Sequence, residues 1–123
     1  MEPYSFKVTT TIPAYRIVTA LTGTANTVQL AGAATNVLIG ITTDTVLDTT
    51  VSIPVKVGGI AKLYFNDSCA SGALVTTDAS GRGILHASSS AGSYVIGTLI
   101  GPKVEDTGTI ADVLINPFWI DLP

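Results

Sequence analysis

The chain has 123 residues, enough for one domain with a single hydrophobic core. Six basic residues against nine acidic ones give a net charge of −3, and the basic residues are too scattered to neutralise successive phosphates, which argues against a nucleic-acid partner. No apolar run approaches the ~20 residues that cross a bilayer as a helix. The start of the chain also lacks the basic and apolar regions of a signal peptide, so we expect no membrane partner and synthesis in the cytoplasm.

The residue types favour strands over helices. Thr occurs eighteen times and Val and Ile twelve times each, whereas Glu occurs twice. β-branched side chains suit a pleated, half-buried surface, and the strong helix formers Glu, Lys, Gln and Arg are nearly absent. This composition predicts an all-β fold with short or missing helices.

The first predicted element lies in residues 1–12 and reads "MEPYSFKVTTTI". Its side chains alternate, with Tyr4, Phe6 and Val8 on one side and Ser5, Lys7 and Thr9 on the other. No counterpart is found in the second half of the sequence, and a proline stands near each end of the segment. We therefore predict an extended N-terminal arm that reaches away from its own domain and buries aromatic side chains against a neighbour. Deletion of residues 2–11 should then leave a folded domain.

The rest of the chain, residues 13–123, contains an internal repeat. Two dipeptides recur at one shift of 57 residues: Val18-Thr19 as Val75-Thr76, and Ile39-Gly40 as Ile96-Gly97. The turns and strands around them follow in the same order. The shift predicts a β-domain made of two similar halves, at about residues 14–57 and 71–114.

Strand signals within the repeat are short and closely spaced. In "VSIPVKV" the apolar residues Val51, Ile53, Val55 and Val57 share one face, which is typical of a strand with one buried side. Gly40 and Gly97 follow apolar pairs inside strands, where a kink, a bulge or a close backbone approach explains glycine. About ten short strands with frequent turns predict a small single-domain β-barrel or sandwich with internal pseudo-duplication.

Residues that could carry catalysis or hold a metal are few. His86 is the sole histidine and has no Cys or His neighbour at ligand spacing, so we interpret it as a surface or strand residue. The serines lack the Gly-x-Ser-x-Gly pattern of a nucleophile. We predict no enzyme activity, no cofactor and no metal, and we expect chelators and His86→Ala to leave folding and binding unchanged.

Acidic loops and the single cysteine also favour structural interpretations. Asp44 and Asp48 in one half, and Glu105 and Asp106 in the other, lack the alternating carboxylates and sharp glycine of a calcium loop, which indicates solvated turns. Cys69 has no partner for an internal disulfide and is expected to be a buried small hydrophobe.

Aromatic residues near the two ends are the candidate binding residues. Phe118 and Trp119 either belong to a terminal strand folded onto the core or serve as interface anchors, a role in which Trp is enriched. The predicted interface with a partner protein or another subunit consists of Tyr4, Phe6, Lys7, Val8, Phe118 and Trp119.

An ordered set of segments over roughly residues 13 to 115 resembles a known family. The segments "VLIGIT", "VSIPVKVGG", "SGALVTT", "DASGRG" and "YVIGTLIG" are similar to those of the decoration, or cement, proteins of tailed-bacteriophage heads. Members often carry Gly-Asp where this chain has Gly72-Ala73. Phe118 and Trp119 lie beyond the resemblance.

The resemblance implies an all-β protein that binds the outside of a mature capsid. It implies the major capsid protein as partner, assembly as a homotrimer, and a place on the outer surface of the virion after synthesis in the host cytoplasm. A receptor- or carbohydrate-binding module of a phage tail or fibre is the alternative. A hydrolytic enzyme with an unrecognised site is a weaker third hypothesis.

Overall fold

The computed structural model describes residues 4–21, 23–32, 37–43, 45, 52–86, 93–105 and 108–120. These residues form no helix, and hence none that could span a membrane. They form ten strands: β1 (Tyr4–Val8), β2 (Ile17–Ala20), β3 (Thr27–Leu30), β4 (Leu38–Thr42), β5 (Ile53–Lys56), β6 (Gly59–Tyr64), β7 (Leu74–Thr77), β8 (Gly83–Leu85), β9 (Ser93–Leu99) and β10 (Ile110–Ile120). The prediction of a small all-β domain is confirmed.

The first five strands close into a barrel. They are hydrogen-bonded in the order β1-β3-β2-β4-β5, and β5 pairs back to β1. Neighbours run antiparallel except β1 and β3, which are parallel with Val8 opposite Val28. Closure gives every strand of this barrel a partner on both sides, which removes exposed sheet edges.

The last five strands form a second sheet in the order β6-β10-β9-β7-β8. A parallel bridge between Phe65 and Gly83 connects its two end strands, and the Asn66 N–H donates to the Gly83 carbonyl over 2.9 Å. The second sheet is therefore a partly closed barrel, in which few described hydrogen bonds link β6 to β8.

The two halves share one pairing plan. In each half the first strand runs antiparallel to the last and parallel to the third. Val18 lies opposite Gly40 in the first half, and Val75 lies opposite Gly97 in the second. The shift of 57 residues thus corresponds to a repeat of strand pairing. The plan also gives β1 a counterpart, β6, which the sequence analysis had not recognised.

The recurring glycines allow close strand approach. A Cβ at Gly40 would collide with the carbonyl oxygen of Lys56 in β5, and one at Gly97 would collide with that of Leu114 in β10. Register shifts occur between β2 and β4 in the first half and between β9 and β10 in the second. The prediction of a bulge or close backbone approach is confirmed, because any larger residue would push the neighbouring strand away.

Interior volume is distributed differently in the two halves. Val8 and Val28 lie opposite each other in the barrel, both buried. Phe65 and Gly83 take the equivalent places in the second half. A Cβ added to Gly83 would lie 2.6 Å from Leu63 Cδ2 and 3.1 Å from Phe65 Cδ2. The absent side chain of Gly83 therefore makes room for the ring of Phe65.

Two buried clusters stabilise the molecule. One fills the barrel and consists of Val8, Ile12, Val18, Val28, Ile53 and Val55. The other joins barrel residues to the second sheet, and includes Ile17, Leu38, Ile41, Leu63, Phe65, Ile96 and Val113. Backbone hydrogen bonds also cross between the halves, from the Tyr64 N–H to the Tyr15 carbonyl at 2.9 Å and from the Ile17 N–H to the Gly81 carbonyl at 2.7 Å. The halves thus share a core.

The N-terminal strand belongs to its own barrel, so the prediction of an arm that reaches away is wrong for residues 4–8. Ser5 pairs with Pro54 in β5, and Val8 pairs with Val28 in β3. A strand must satisfy its backbone groups, and β1 does so inside the barrel that it closes. Residues 1–3 lie outside the described part of the chain.

Candidate binding surfaces

The end of β10 carries exposed aromatic side chains. Ile110 to Ile115 pair with β6, and the last three of them also pair with β9. Phe118, Trp119 and Ile120 pair with β9 alone among the described residues. Phe118 is 38% exposed and Trp119 is 45% exposed. Successive side chains of a strand point to opposite faces, so solvent reaches this strand end on both of its faces.

Trp119 is held in place by a second ring. The ring centroids of Tyr94 and Trp119 are 4.7 Å apart at an interplanar angle of 63°, an edge-to-face contact worth about 0.5–1.5 kcal/mol beyond the buried area. Tyr94 itself packs against the shared core. We call Tyr94, Phe118 and Trp119 the terminal aromatic surface. Phe118 and Trp119 belong to a terminal strand, as one of the two interpretations predicted. Their role as interface anchors stays a prediction.

The N-terminal candidates divide by burial. Val8 is 5% exposed within the barrel core, so its assignment to an interface is wrong: the alternation of β1 points it inward. Phe6 is half-buried against the same core, and Lys7 is exposed. The side chain of Tyr4 lies outside the described part. The strand β1 lies in the barrel, whereas the terminal aromatic surface lies on β9 and β10 of the second sheet.

A cleft of about 270 Å³ lies where the barrel meets the second sheet. Residues of β4, β5, β6 and β10 line it together with the segment before β2: Tyr15, Thr42, Thr43, Lys56, Ile60, Ala61, Lys62 and Asp112. We call this set the inter-half cleft. The sequence analysis did not identify this cleft.

The polar groups of the inter-half cleft are held loosely. The Lys56 ammonium donates to the Ile60 carbonyl at 2.6 Å. Lys62 Nζ lies 3.7 Å from Asp112 Oδ1, with side chains 62% and 48% exposed. An ion pair that open to solvent contributes only about 0–1 kcal/mol, so either partner can exchange it for another.

Tyr15 has a backbone conformation that is rare for its residue type. Its φ is 62°, and the same place in the second half is taken by Gly72 with φ 85°. The Tyr15 N–H donates to the Thr42 carbonyl at 2.9 Å, and the Gly72 N–H donates to the equivalent Leu99 carbonyl at 2.6 Å. A bulky residue at positive φ costs on the order of 1–3 kcal/mol, and such strain is concentrated at functional sites.

The neighbour of Tyr15 packs its positive charge against an aromatic ring. The guanidinium carbon of Arg16 lies 4.2 Å from the ring centroid of Tyr64, a cation–π contact. Partial burial lowers the pKa of Arg16 below its usual value, while the nearby Tyr64 acts in the opposite direction. Arg16 stays charged at neutral pH because an arginine pKa lies so far above 7.

His86 is not the surface residue that its sequence context suggested. It is 8% exposed directly after β8, and its Nε2 lies 2.6 Å from Ser93 Oγ. The expectation that His86→Ala leaves folding unchanged is withdrawn, because the substitution would empty a buried site and remove the partner of a buried hydroxyl. Cys69 is buried as predicted, and burial raises the pKa of its thiol.

Among the described residues, no group of three or more His, Cys, Asp or Glu side chains could hold a metal ion. Glu105 is exposed and lies 3.8 Å from the Lys103 ammonium. Asp44, Asp48 and Asp106 lie outside the described residues, so the interpretation of both acidic loops as solvated turns stays a prediction.

Comparison with solved structures shows a likeness in fold. No protein-family model matches the sequence, and no curated protein matches it. Among solved structures, the chain resembles the crystal structure of the head fiber gp8.5 N base in bacteriophage phi29, with a TM-score of 0.73 and 13% sequence identity. The match covers 94% of this chain and 95% of that one. At this identity the likeness establishes the arrangement of strands.

Proposed function

We propose that this chain is a structural protein of a tailed-bacteriophage head. The observation that carries the proposal is the fold likeness, over nearly the whole of both chains, to a protein described as the base of a phage head fibre. The ordered segments that resemble head decoration proteins support the same assignment from the sequence. A phage-head protein of this size needs binding surfaces more than a reactive site, and the chain carries exposed aromatic and aliphatic side chains.

The more specific proposal is a decoration, or cement, protein. It binds the outer surface of the assembled head, with the major capsid protein as partner, and bridges neighbouring subunits. Several weak contacts suffice because each bound contact raises the effective concentration of the next. Binding that requires the assembled shell stabilises that shell by mass action. In this proposal the protein is made in the host cytoplasm, is not an enzyme and uses no cofactor.

The proposed attachment residues are those of the predicted interface that the fold leaves accessible. Lys7 is exposed on β1, Phe6 is half-buried, and Phe118 and Trp119 are exposed on β10. Trp and Phe are among the residues enriched at interface centres. A homotrimer would let three copies of this surface act together on the shell. Light scattering by the free protein should report a mass of three chains, and a monomer both free and on the particle would contradict the trimer.

The alternative is a receptor- or carbohydrate-binding module of a fibre or tail. The exposed terminal aromatic surface favours it, since aromatic rings stack on sugars and serve as anchors. The fold likeness to a fibre base also leaves room for it. The two functions differ in where the protein resides on the particle.

Particle fractionation separates these functions. Heads purified away from tails and fibres are probed with an antibody to this chain, and the major capsid and tail-tube proteins serve as markers for the two fractions. We expect the chain to remain with the heads in fixed ratio to the capsid marker. Loss of the chain together with the tail marker would support the alternative, and its absence from both fractions would refute a virion role.

A further inference from the structure

The inter-half cleft combines three features that the attachment surface does not explain. Tyr15 adopts positive φ where the other half has glycine. Two lysines and one aspartate face the same cleft in a chain whose net charge is −3. Exposed aliphatic side chains stand beside it, with Ile60 at 50% and its cross-strand partner Leu114 at 43% exposure.

The residue with the strained backbone, Tyr15, also has its side chain in the wall of the cleft. The hydrogen bonds of this turn do not require a side chain, because Gly72 makes the equivalent bond with none. Tyr15 therefore retains its ring at an energetic cost that glycine would avoid. The Tyr15 side chain lines the cleft together with Lys56 and Lys62.

The charges of the cleft favour an anionic group. Lys56 and Lys62 against Asp112 leave an excess of one positive charge among the lining residues. The Lys56 ammonium has three protons and gives one to the Ile60 carbonyl. The weak Lys62–Asp112 pair leaves Lys62 able to turn to a second carboxylate.

The size of the cleft and its aliphatic rim favour a protein segment. Its volume of about 270 Å³ lies below the range of roughly 300–1,000 Å³ typical of small-molecule sites, so a single side chain suits it better than a cofactor. Ile60 and Leu114 offer an apolar contact beside the ammonium groups. A sugar acid would use the charges and leave this rim uncovered.

We propose that the inter-half cleft binds an acidic side chain of a partner protein, with an apolar neighbour of that side chain resting on Ile60 and Leu114. The proposal deepens the proposed function, since it assigns a chemistry to the partner segment on the shell. The partner carboxylate accepts hydrogen bonds from Lys56 and Lys62. Tyr15 forms one wall of the site.

Capped tripeptides test this chemistry on the full-length protein. Acetyl-Leu-Glu-Leu-amide and acetyl-Leu-Gln-Leu-amide are titrated into the isotope-labelled chain, and backbone amide shifts are followed by NMR. We expect the Glu peptide to shift the amides of Tyr15, Lys56 and Lys62, and the Gln peptide to bind about tenfold more weakly, as befits the loss of a charge-assisted hydrogen bond. Glucuronate is the third probe.

Charge-neutralising variants supply the control. Lys56→Gln and Lys62→Gln should each weaken binding of the Glu peptide several-fold. Lys103→Gln makes the same charge change outside the cleft, beside Glu105, and should leave the affinity unchanged. Melting curves of all three variants verify that they are folded.

Several results would overturn the proposal. Equal binding of the two peptides would do so, as would glucuronate binding tighter than the Glu peptide. Amide shifts confined to other surfaces would also do so. The same holds if no shift occurs up to ~10 mM peptide, a concentration that still detects the weakest specific contacts. Failure here with the chain still in the head fraction would remove only the cleft assignment. Peptide binding by a chain absent from heads would refute the head function and leave the chemistry of the cleft in place.

Discussion

Tyr15 and Gly72 show how one backbone conformation is met by two residue types. Both residues have positive φ, and both donate to the carbonyl at the end of the equivalent strand. Glycine adopts this conformation without cost, whereas a side chain crowds the backbone. The comparison within one molecule therefore isolates what the Tyr15 side chain costs.

Substitutions at Tyr15 should reverse the usual order of Ala and Gly. Tyr15→Ala keeps the strain and loses the ring, whereas Tyr15→Gly relieves the strain, so we expect the Gly variant to be more stable by about 1 kcal/mol. Ala20→Gly at an exposed strand position is the control and should destabilise. Denaturant unfolding provides the measurement. An alanine variant at least as stable as the glycine variant would show that Tyr15 is unstrained.

At the scale of the strands, the two halves have the same strand pairing but distribute side-chain volume differently between equivalent positions. Val8 and Val28 fill in one half the places that Phe65 and Gly83 fill in the other. Interiors are packed densely enough that a gain of volume at one position demands a loss at its neighbour. The aromatic ring and the glycine are therefore one unit.

A double-mutant cycle tests the coupling of Phe65 and Gly83. Gly83→Val alone should destabilise by about 1–3 kcal/mol or more, because its side chain meets Leu63 and Phe65. Phe65→Val alone leaves a cavity. The double variant copies the first half, and we expect it to be more stable than the sum of the single losses by about 1 kcal/mol or more. Strictly additive losses, measured by denaturant unfolding, would show that the two positions are independent.

Deletion of the first strand should disrupt the barrel. Removing residues 2–11 takes away β1, which pairs with both β3 and β5 and contributes Val8 to the barrel core. Two strands would then expose unpaired edges. We expect loss of the cooperative unfolding transition and a changed circular dichroism spectrum. A deletion variant that unfolds cooperatively near the wild-type temperature would show that β1 is dispensable, as the sequence analysis had supposed.

The sequence predicted the fold where a local pattern carried the information. The alternation in "VSIPVKV" predicts β5, in which Ile53 and Val55 are buried. The recurrence of Ile-Gly marked two places of close strand approach. The pairing of β1 was missed because the sequence of its counterpart, β6 with the adjoining Phe65, differs from that of β1. For example, Val8 and Phe65 fill equivalent places with unequal volumes.

The inter-half cleft was beyond the sequence for a different reason. Tyr15, the neighbouring pair Lys56 and Lys62, and Asp112 come from three separate parts of the chain, which meet because the two halves share a core. One signal was available, namely that the 57-residue shift places Tyr15 on Gly72. Where a tyrosine takes the place of a glycine in a repeat, the tyrosine is expected to have positive φ. This conformation is rare for a bulky residue and indicates a special role.

At the scale of the whole molecule, the exposed aromatics give a test of attachment that is separate from folding. Phe118→Ser with Trp119→Ser should greatly reduce binding to heads that lack the chain, because interface aromatics commonly contribute about 2 kcal/mol or more each. Leu85→Ser is the control, since Leu85 is 47% exposed on β8 and outside the terminal aromatic surface. Co-sedimentation measures binding, and thermal melts measure folding. Undiminished binding of a folded double variant would remove the terminal aromatic surface from the attachment site.

The proposed location of the protein on a phage head is the central claim, and cryo-electron microscopy of a particle that carries the chain tests this claim most directly. The account predicts density on the outer surface of the head that accommodates the barrel and the second sheet, with Phe118 and Trp119 facing capsid subunits or a neighbouring copy. Density for this fold at the tail or tail fibres, with bare heads, would contradict the account.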